Sequence, residues 1–334
     1  MLADVRPILL VPYVWVGDFV RCHSVTKICK ERWPDRPVDV LTSSLCAPLA
    51  DYMPGLRKAI VWDLPRRRIA FGEQRRLAAR LREENYATAL IMSRKWKAAL
   101  APALAGIPER VGFVGELRYG LLTDVRSGER TLQRMIDRCA MLALPRGANL
   151  LEHWPLPELA VPKQEISDWL SRRGLVNEKR PIVVLCPGAA GSVGRRWPES
   201  RYAELALQLK NDGMSVWVVG GPGEKTIANE ISAGGKYARD LTGNDLRDGI
   251  LAIAAADVAV SNDSGLLHVA AGIGTPVVGL FGPTSPWHDG PLNKVAAVVD
   301  APWRGAEGDF RGRTTEDIAV DQVLAAVRKA VRRA

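Results

Sequence analysis

The chain has 334 residues, 47% of them hydrophobic and 25% charged, a composition that excludes a disordered chain, a collagen and a small disulfide scaffold. The length exceeds what one hydrophobic core usually serves, so two domains are expected. The formal net charge is +9, and most of the excess lies in residues 1–160, which hold 25 Lys and Arg against 17 Asp and Glu.

Short apolar runs alternate with longer amphipathic stretches along the first half of the chain. The predicted strands are Ile8–Val11, Val38–Leu41, Ala59–Trp62 and Thr88–Met92, and the predicted helices are Ser24–Arg32, Cys46–Tyr52 and Glu73–Glu84. Leu77 and Leu81 are spaced i,i+4 among several arginines, which is typical of a surface helix. This order of strands and helices implies a parallel sheet covered by helices on both faces.

A proline-rich stretch separates two similar halves. Leu151–Pro162 contains three prolines, which suits an extended linker. After it, the predicted strands are Ile182–Cys186, Ser215–Val219, Val258–Ser261 and Val277–Phe281, and the predicted helices are Arg201–Asp212, Arg247–Ala256, Gly265–Ala271 and Asp317–Arg333. We expect an α/β protein with one domain over residues 1–160 and another over residues 161–316, followed by a terminal helix over residues 317–333.

Three glycine-rich loops follow strands of the second half: Pro187–Gly194, Gly220–Gly223 and Ser261–Gly265. Backbone N–H groups at a helix N-terminus bind phosphate oxygens, and glycine lets the backbone approach closely. One such loop would be an ordinary strand-to-helix turn. Three of them, with Arg195 and Arg196 beside the first, predict a nucleotide-diphosphate site.

Other phosphate-binding patterns are missing from the sequence. It has no G-x-x-x-x-G-K-[ST] segment, and no G-x-G-x-x-G follows a strand, which argues against NAD. It also has no D-x-D segment, so a metal-bridged diphosphate site of that type is not expected. Neutralising the diphosphate would then fall to Arg195, Arg196 and helix N-termini.

Two aspartates follow strands at positions where a carboxylate could act. Asp18 comes after Gly17 at the end of the first strand, where it could take a proton from an acceptor hydroxyl or merely cap the next helix. Asp263 has the same ambiguity within the loop Ser261–Gly265.

Other side chains give weaker signals. His268 follows Asp263 by five residues, and a structural role is favoured for it, although a neutral histidine also suits a diphosphate site. Trp15, Trp96 and Trp197 lie within two residues of Gly, Lys or Arg in predicted loops and could contact a sugar, while packing is expected for most of the ten tryptophans.

The cysteines and the apolar runs give indications of the cellular compartment and of membrane contact. The five cysteines include no C-x-x-C pair and are expected to be buried free thiols in a reducing cytoplasm. Because no apolar stretch approaches about 18 residues, any membrane contact should be peripheral. The basic first half suits nucleic acid, an anionic membrane surface or a phosphorylated substrate, or else simply gives a soluble surface.

Several segments resemble a known family. Residues 261–286, SNDSGLLHVAAGIGTPVVGLFGPTSP, closely resemble the signature of the bacterial lipopolysaccharide heptosyltransferases, glycosyltransferase family 9. Residues 187–206, PGAAGSVGRRWPESRYAELA, are similar to its second signature, and VWVGDFV at 14–20 resembles its S-W-V-G-D segment. Residues 93–126 resemble the heptosyltransferase II branch.

The resemblance implies the GT-B fold, two Rossmann-like parallel-sheet domains facing across a cleft, with the terminal helix packing back on the first domain. It implies inverting transfer without a metal or cofactor, from ADP-L-glycero-D-manno-heptose held by the second domain. The acceptor implied is the lipopolysaccharide inner core on lipid A, rich in carboxylates and phosphates, which receives its second heptose. Such an acceptor suits a basic domain at the cytoplasmic face of the inner membrane.

The resemblance also assigns roles to residues. It makes Asp18 the general base, Arg195 the cation at the diphosphate where the family usually has lysine, and Asp263 a partner of the donor heptose. The donor-binding candidates are Ala189, Ala190, Arg196, Glu224, Ser264, Gly265 and His268, and the acceptor-binding candidates are Lys97 and Arg118. Either Arg195 or Arg196 could be the working cation, since the two are adjacent.

Alternatives remain open at this point. Another member of the family, of heptosyltransferase I or III type, would use a different acceptor or sugar. The segment at 302–318 lacks the cysteine common in the heptosyltransferase II branch, which leaves the exact acceptor open. A non-catalytic nucleic-acid-binding protein would use the basic half, but it would leave the diphosphate loops unexplained.

Overall fold

The computed structural model describes residues 4–65, 70–189, 193–304, 308–310 and 312–333. The chain divides into two compact units, Met1–Pro157 and Glu158–Ala334, so the boundary lies inside the predicted linker, which has no regular secondary structure. None of the helices within these residues is long and apolar enough to cross a membrane.

The first unit is built on a parallel sheet. Its strands are β1 (Ile8–Val11), β2 (Val38–Thr42), β3 (Leu56–Val61), β4 (Thr88–Ile91), β5 (Glu109–Phe113) and β6 (Asp124–Arg126). In the described residues the order is β3-β2-β1-β4-β5-β6, and every neighbouring pair is parallel. Its helices are α1 (Val16–Arg32), α2 (Ala47–Ala50), α3 (Phe71–Glu83), α4 (Trp96–Leu104) and α5 (Met135–Ala140), with 3-10 turns at Glu129–Thr131 and Met141–Ala143.

The core of the first unit explains why its central strand β1 is uniformly apolar. Ile8, Leu9 and Leu10 of β1 are completely buried. Helix α1 packs against α5, and α3 packs against α4. A strand covered on both faces reads as a continuous apolar run rather than as an alternating one.

Helix α1 begins earlier than the sequence predicts. The prediction started at Ser24 because Gly17 and Asp18 resemble a turn, whereas the helix begins at Val16. Gly17 and Phe19 are buried, and Asp18 stands in the first turn, where a carboxylate interacts favourably with the helix dipole. Burial of this first turn therefore outweighs the poor helix propensity of glycine.

The second unit repeats this architecture. Its strands are β7 (Ile182–Cys186), β8 (Ser215–Val218), β9 (Arg239–Asp240), β10 (Val258–Asn262), β11 (Val277–Phe281) and β12 (Ala297–Asp300), in the order β12-β11-β10-β7-β8-β9. All pairs are parallel. Its helices are α6 (Lys163–Arg173), α7 (Glu199–Asn211), α8 (Lys225–Ser232), α9 (Leu246–Ala255), α10 (Gly265–Ile273), α11 (Pro286–Asp289) and α12 (Val320–Val331), with 3-10 turns at Val193–Arg195, Pro222–Glu224 and Thr315–Asp317.

The two sheets share one strand order, which confirms two Rossmann-like parallel sheets. In each, the first strand of the unit lies beside the fourth, β1 beside β4 and β7 beside β10. The connections from these two strands leave in opposite directions, and the crevice between them at the carboxyl edge is where such sheets bind ligands.

The terminal helix α12 corrects one expectation. It was expected to pack on the first domain, but its apolar stripe, including Val323 and Val327, belongs to the same buried core as Val183 and Leu185 of β7. It packs against α7 and against β10, β11 and β12, and Arg328 pairs with Asp212 at 2.8 Å. The apolar face of α12 is therefore buried within the second unit itself.

Candidate active site

A buried asparagine organises the crevice between β7 and β10 in the second unit. Asn262, at the end of β10, donates from Nδ2 to the carbonyl of Pro187 at 2.7 Å. Its Oδ1 accepts from the Trp197 backbone N–H and from the Tyr202 hydroxyl, both at 3.1 Å. Trp197 is buried, with its ring 4.9 Å from that of Tyr202, so it packs in the core rather than contacting a sugar. Local sequence pattern does not single out Asn262, whose only signal is its position between Ser261 and Asp263.

Two of the predicted residues come together at this crevice. Arg195 Nη1 lies 3.6 Å from Asp263 Oδ2, and the side chains are 37% and 7% exposed. Arg195 belongs to the loop after β7, and Asp263 follows β10. The pair therefore presents an oriented, partly exposed cation at the carboxyl edge of the sheet, where an anionic ligand could share it.

The neighbouring Arg196 has a different environment. Its Nε and Nη2 donate to the carbonyl of Ala189 at 3.2 and 3.1 Å. Arg196 thus braces the loop after β7, whereas Arg195 extends beside Asp263. This geometry favours Arg195 as the group that meets a diphosphate, and it gives Ala189 a part in the loop. The predicted contact at Ala190 lies outside the described residues.

The N-terminus of α10 lies beside the same crevice. Ser264 is its N-cap, and Gly265 is its first residue. The Ser264 hydroxyl lies 3.1 Å from the Ser261 hydroxyl and makes no capping bond to the helix. The amides of the first turn can therefore bind an anion, as at many helix N-termini. His268 lies on the same helix and is almost completely buried.

Glu224 rests directly on glycine backbone. A Cβ on Gly188 would lie 3.0 Å from Glu224 Oε1, and a Cβ on Gly220 would lie 3.0 Å from Glu224 Cβ. A side chain at either position would therefore force Glu224 to shift by a few tenths of an ångström, so glycine permits its closest approach. Gly188 follows β7 and Gly220 follows β8, so the carboxylate lies at the same edge of the sheet as Arg195. An acidic residue at this edge is the usual partner of a ribose hydroxyl in nucleotide-binding sheets.

In the first unit, Asp18 forms an ion pair with Arg21. The distance from Asp18 Oδ1 to Arg21 Nη1 is 2.6 Å, and the two side chains are 13% and 6% exposed. The position suits both interpretations of the sequence. The carboxylate stabilises the first turn of α1, and it stands at the carboxyl end of β1 beside Tyr13 and Trp15.

A pocket of about 860 Å³ opens at the carboxyl ends of β1 to β4. Its walls are mostly apolar and include Trp15, Trp62 and Leu64, and Lys97 supplies a cation. Gln74 Nε2 donates to the Lys97 carbonyl at 3.3 Å, which fixes the start of α4. The volume is that of a small-molecule site, and its lining combines aromatic groups with charges of both signs, Lys95 and Lys97 as well as Asp63 and Glu116.

Arg118 does not line this pocket. It is 1% exposed, its Nε donates to the Phe113 carbonyl at 3.0 Å, and its Nη1 donates to the Ser93 carbonyl. Burial lowers the pKa of Arg118 from its ordinary value. The side chain ties together the segments that follow β4 and β5. The geometry therefore favours a positioning role for Arg118 over the acceptor contact expected from the sequence.

The cysteines offer no exposed thiol to these sites, although the buried Cys46 borders the pocket of the first unit. All five are buried free thiols, as predicted. Burial raises the pKa of Cys186 to about 12, so its thiolate is disfavoured at neutral pH.

Comparisons with known proteins identify the family of the chain. A model of glycosyltransferase family 9 (heptosyltransferase) matches residues 74–317. Lipopolysaccharide heptosyltransferase 2 of Salmonella typhimurium is 38% identical and that of Escherichia coli 37% identical, with 87% of each chain covered. The solved structure of E. coli ADP-heptose lps heptosyltransferase II matches with a TM-score of 0.88 at 35% identity, over 98% of this chain and 99% of that chain. The signatures, the paired sheets and these matches agree, and the chain belongs to glycosyltransferase family 9, the heptosyltransferases.

Proposed function

We propose that this enzyme transfers a heptose from ADP-L-glycero-D-manno-heptose to the lipopolysaccharide inner core, adding the second heptose with inversion at the anomeric carbon. The observation that carries the proposal is the Arg195–Asp263 pair beside the N-terminus of α10, at the crevice between β7 and β10. A cation and a set of helix amides at one crevice form a diphosphate site. The relatives named as heptosyltransferase 2 support the choice of sugar and acceptor.

The proposed reaction is a single displacement. The acceptor hydroxyl oxygen attacks the anomeric carbon of the heptose from the face opposite the diphosphate. As this bond forms, Asp18 takes the hydroxyl proton, and the bond to the diphosphate oxygen breaks. ADP leaves with the electron pair, and its growing negative charge is stabilised by Arg195 and the amides of Ser264 and Gly265. Asp263 orients Arg195 and forms a hydrogen bond with the donor heptose.

The same groups support transfer without a metal ion. A divalent cation in other glycosyltransferases offsets the charge of the leaving diphosphate. Here the Arg195 guanidinium and the first turn of α10 would supply positive charge at that place. We therefore assign no metal and no further cofactor to the reaction.

The first unit would hold the acceptor. Its pocket combines aromatic walls with Lys97, and residues 1–160 carry a clear excess of Lys and Arg. These features suit an inner core that bears carboxylates and phosphates, and they suit peripheral contact with the anionic cytoplasmic face of the inner membrane.

The proposal is tested by incubating the purified protein with ADP-heptose and inner-core acceptors. One acceptor bears no heptose, and the other bears one heptose. Mass spectrometry should show one heptose added to the acceptor that already carries one. Transfer to the heptose-free acceptor instead would identify a heptosyltransferase I type. If heptose is transferred to neither acceptor and the enzyme instead uses a different acceptor or sugar, it has another activity within the family. Membership of an enzyme family argues against the nucleic-acid-binding alternative.

A further inference from the structure

A short C-terminal segment, residues 312–318, contacts the loops that follow β7, β11 and β12. We call this segment the strap. We propose that the strap positions Arg195 for the diphosphate, with Thr315 as the residue through which it acts. The inference rests on the proposed function of Arg195 and extends it to a segment that lies within the cysteine-free stretch 302–318.

The strap is fixed to the edge of the sheet by Arg313. Its guanidinium lies 4.1 Å from the ring centre of Trp303 and 5.1 Å from that of Phe310. It also pairs with Asp300, the last residue of β12, and donates to the Ala301 carbonyl. A cation that contacts two aromatic rings and a carboxylate has little freedom to move, so the strap is anchored next to Thr315.

The middle of the strap is packed on backbone. Thr315 is completely buried. A Cβ on Gly282, directly after β11, would lie 2.5 Å from the Thr315 nitrogen, which is closer than any side chain can come. The two backbones therefore touch without intervening side chains. This contact fixes the position of Thr315 against the end of β11.

From this position the strap holds the chain on both sides of Arg195. The Thr315 hydroxyl donates to the Gly194 carbonyl at 3.2 Å. The Ile318 carbonyl accepts from Trp197 Nε1 at 2.9 Å and also from Arg201. The Gly194 carbonyl belongs to the peptide group that leads into Arg195, so Thr315 fixes the point from which the arginine side chain extends.

The composition of the loop explains why it needs an external support. The sequence from Pro187 to Gly194 is PGAAGSVG, which offers few side chains able to anchor it. Glycine-rich backbone loses much conformational entropy when it is ordered. A Gly194–Arg195 peptide fixed in advance lets Arg195 meet the diphosphate without first being ordered, which is the general benefit of a preorganised charge.

The test uses ADP as the probe and compares variants of two buried threonines. Thr315→Val removes the hydroxyl but keeps the shape, and Thr315→Ser keeps the hydroxyl. Thr275→Val is the matched control, because Thr275 donates to the Ile253 carbonyl at 3.1 Å in the same unit, before the amino end of β11. Calorimetric titration with ADP and thermal unfolding are measured on each full-length variant.

We expect both valine variants to lower the melting temperature by similar amounts. Thr315→Val should weaken ADP binding by up to roughly tenfold, the upper end of what one hydrogen bond contributes net to an affinity. Thr315→Ser and Thr275→Val should bind ADP as the unchanged protein does. Equal weakening by the two valine variants, or no weakening by Thr315→Val, would overturn the inference.

A double-mutant cycle with Arg195→Ala separates this inference from the proposed function. If the strap acts through Arg195, Thr315→Val should add little to the loss of ADP affinity already caused by Arg195→Ala. An equal loss in both backgrounds would show that Thr315 acts elsewhere and would overturn the role of the strap alone. Full ADP affinity in Arg195→Ala would contradict the donor site itself, and the strap with it.

Discussion

Arg195 and Arg196 are adjacent in the chain but have different surroundings in the fold. Arg196 donates to the Ala189 carbonyl, whereas Arg195 extends, 37% exposed, beside Asp263. Lysine is usual at this position in the family that the sequence resembles. A guanidinium differs from it because its planar set of donors can bind a carboxylate and a phosphate at the same time.

Replacing Arg195 by alanine should lower the turnover number more than it raises the donor KM, because the leaving diphosphate gains charge in the transition state. A fall of roughly 10²–10³-fold is the scale for losing one such contact. Arg195→Lys should recover much of the rate, since charge matters more here than fork geometry. Steady-state kinetics with ADP-heptose measures both parameters.

Arg196→Ala is the control for that prediction. It should weaken the bracing of the loop after β7 but retain much more activity than Arg195→Ala. If Arg196→Ala lost most of its turnover and Arg195→Ala kept nearly normal turnover, the diphosphate contact would belong to Arg196.

Asp18→Asn should cut turnover about 10²–10⁴-fold and leave ADP affinity nearly intact, because it removes a proton acceptor without touching the donor site. Glu73→Gln is a matched control: Glu73 also stands in the first turn of a helix and pairs with an arginine three residues on, Arg76. The control should keep normal turnover. Normal turnover in Asp18→Asn would leave Asp18 as a helix-stabilising residue only.

Among the elements, buried strands were the most predictable. The predicted bounds of β1, β7 and β11 match the structure, because each is a fully buried apolar run bounded by turn residues. Local sequence pattern predicts no element at α4, which contains Pro102, or at β9, which consists of two exposed residues. Tertiary contacts rather than local pattern form these elements.

Helix α5 and the linker are joined by a buried carboxylate. Asp137 is 2% exposed and accepts hydrogen bonds from the Arg134 guanidinium and, at 2.8 Å, from Trp154 Nε1. Burial alone would raise the pKa of Asp137, but these hydrogen bonds outweigh it, and the pKa lies below its ordinary value.

Asp137→Asn should therefore lower the free energy of unfolding by about 1–3 kcal/mol at neutral pH. A lowered folded-state pKa contributes stability that is present above the unfolded pKa, about 3.9, and is lost as the pH falls through the folded value. The difference from the unchanged protein should thus shrink below about pH 4 in urea unfolding. The exposed Asp35→Asn is the control and should show almost no difference at either pH. A difference for Asp137→Asn that is constant with pH would contradict the role of its charge.

At the scale of the whole molecule, the charge is distributed as the proposed substrates require. Residues 1–160 carry most of the positive excess and contain the pocket with Lys97, while the second unit supplies localised charge at Arg195 and α10. A broad basic surface attracts a polyanionic acceptor over a distance, and a local site fixes a diphosphate.

Activity should survive chelation, because protein groups rather than a divalent cation would neutralise the leaving diphosphate. The measurement is transfer of heptose in the presence of excess EDTA, with the magnesium complex of EDTA as the control for added salt. Loss of activity with EDTA that Mg²⁺ or Mn²⁺ restores would contradict the proposed mechanism.

The sequence by itself determined the α/β class, the two halves, the buried strands and the family, because these follow from local periodicity and from contiguous signatures. Only the tertiary structure separated Arg195 from Arg196, buried Arg118, placed α12 in the second core, and revealed Asn262 as the link between β10 and the loop after β7. Each of those outcomes depends on partners far away in the chain. The direction and burial of a side chain are set by such distant contacts, and spacing along the sequence does not encode them.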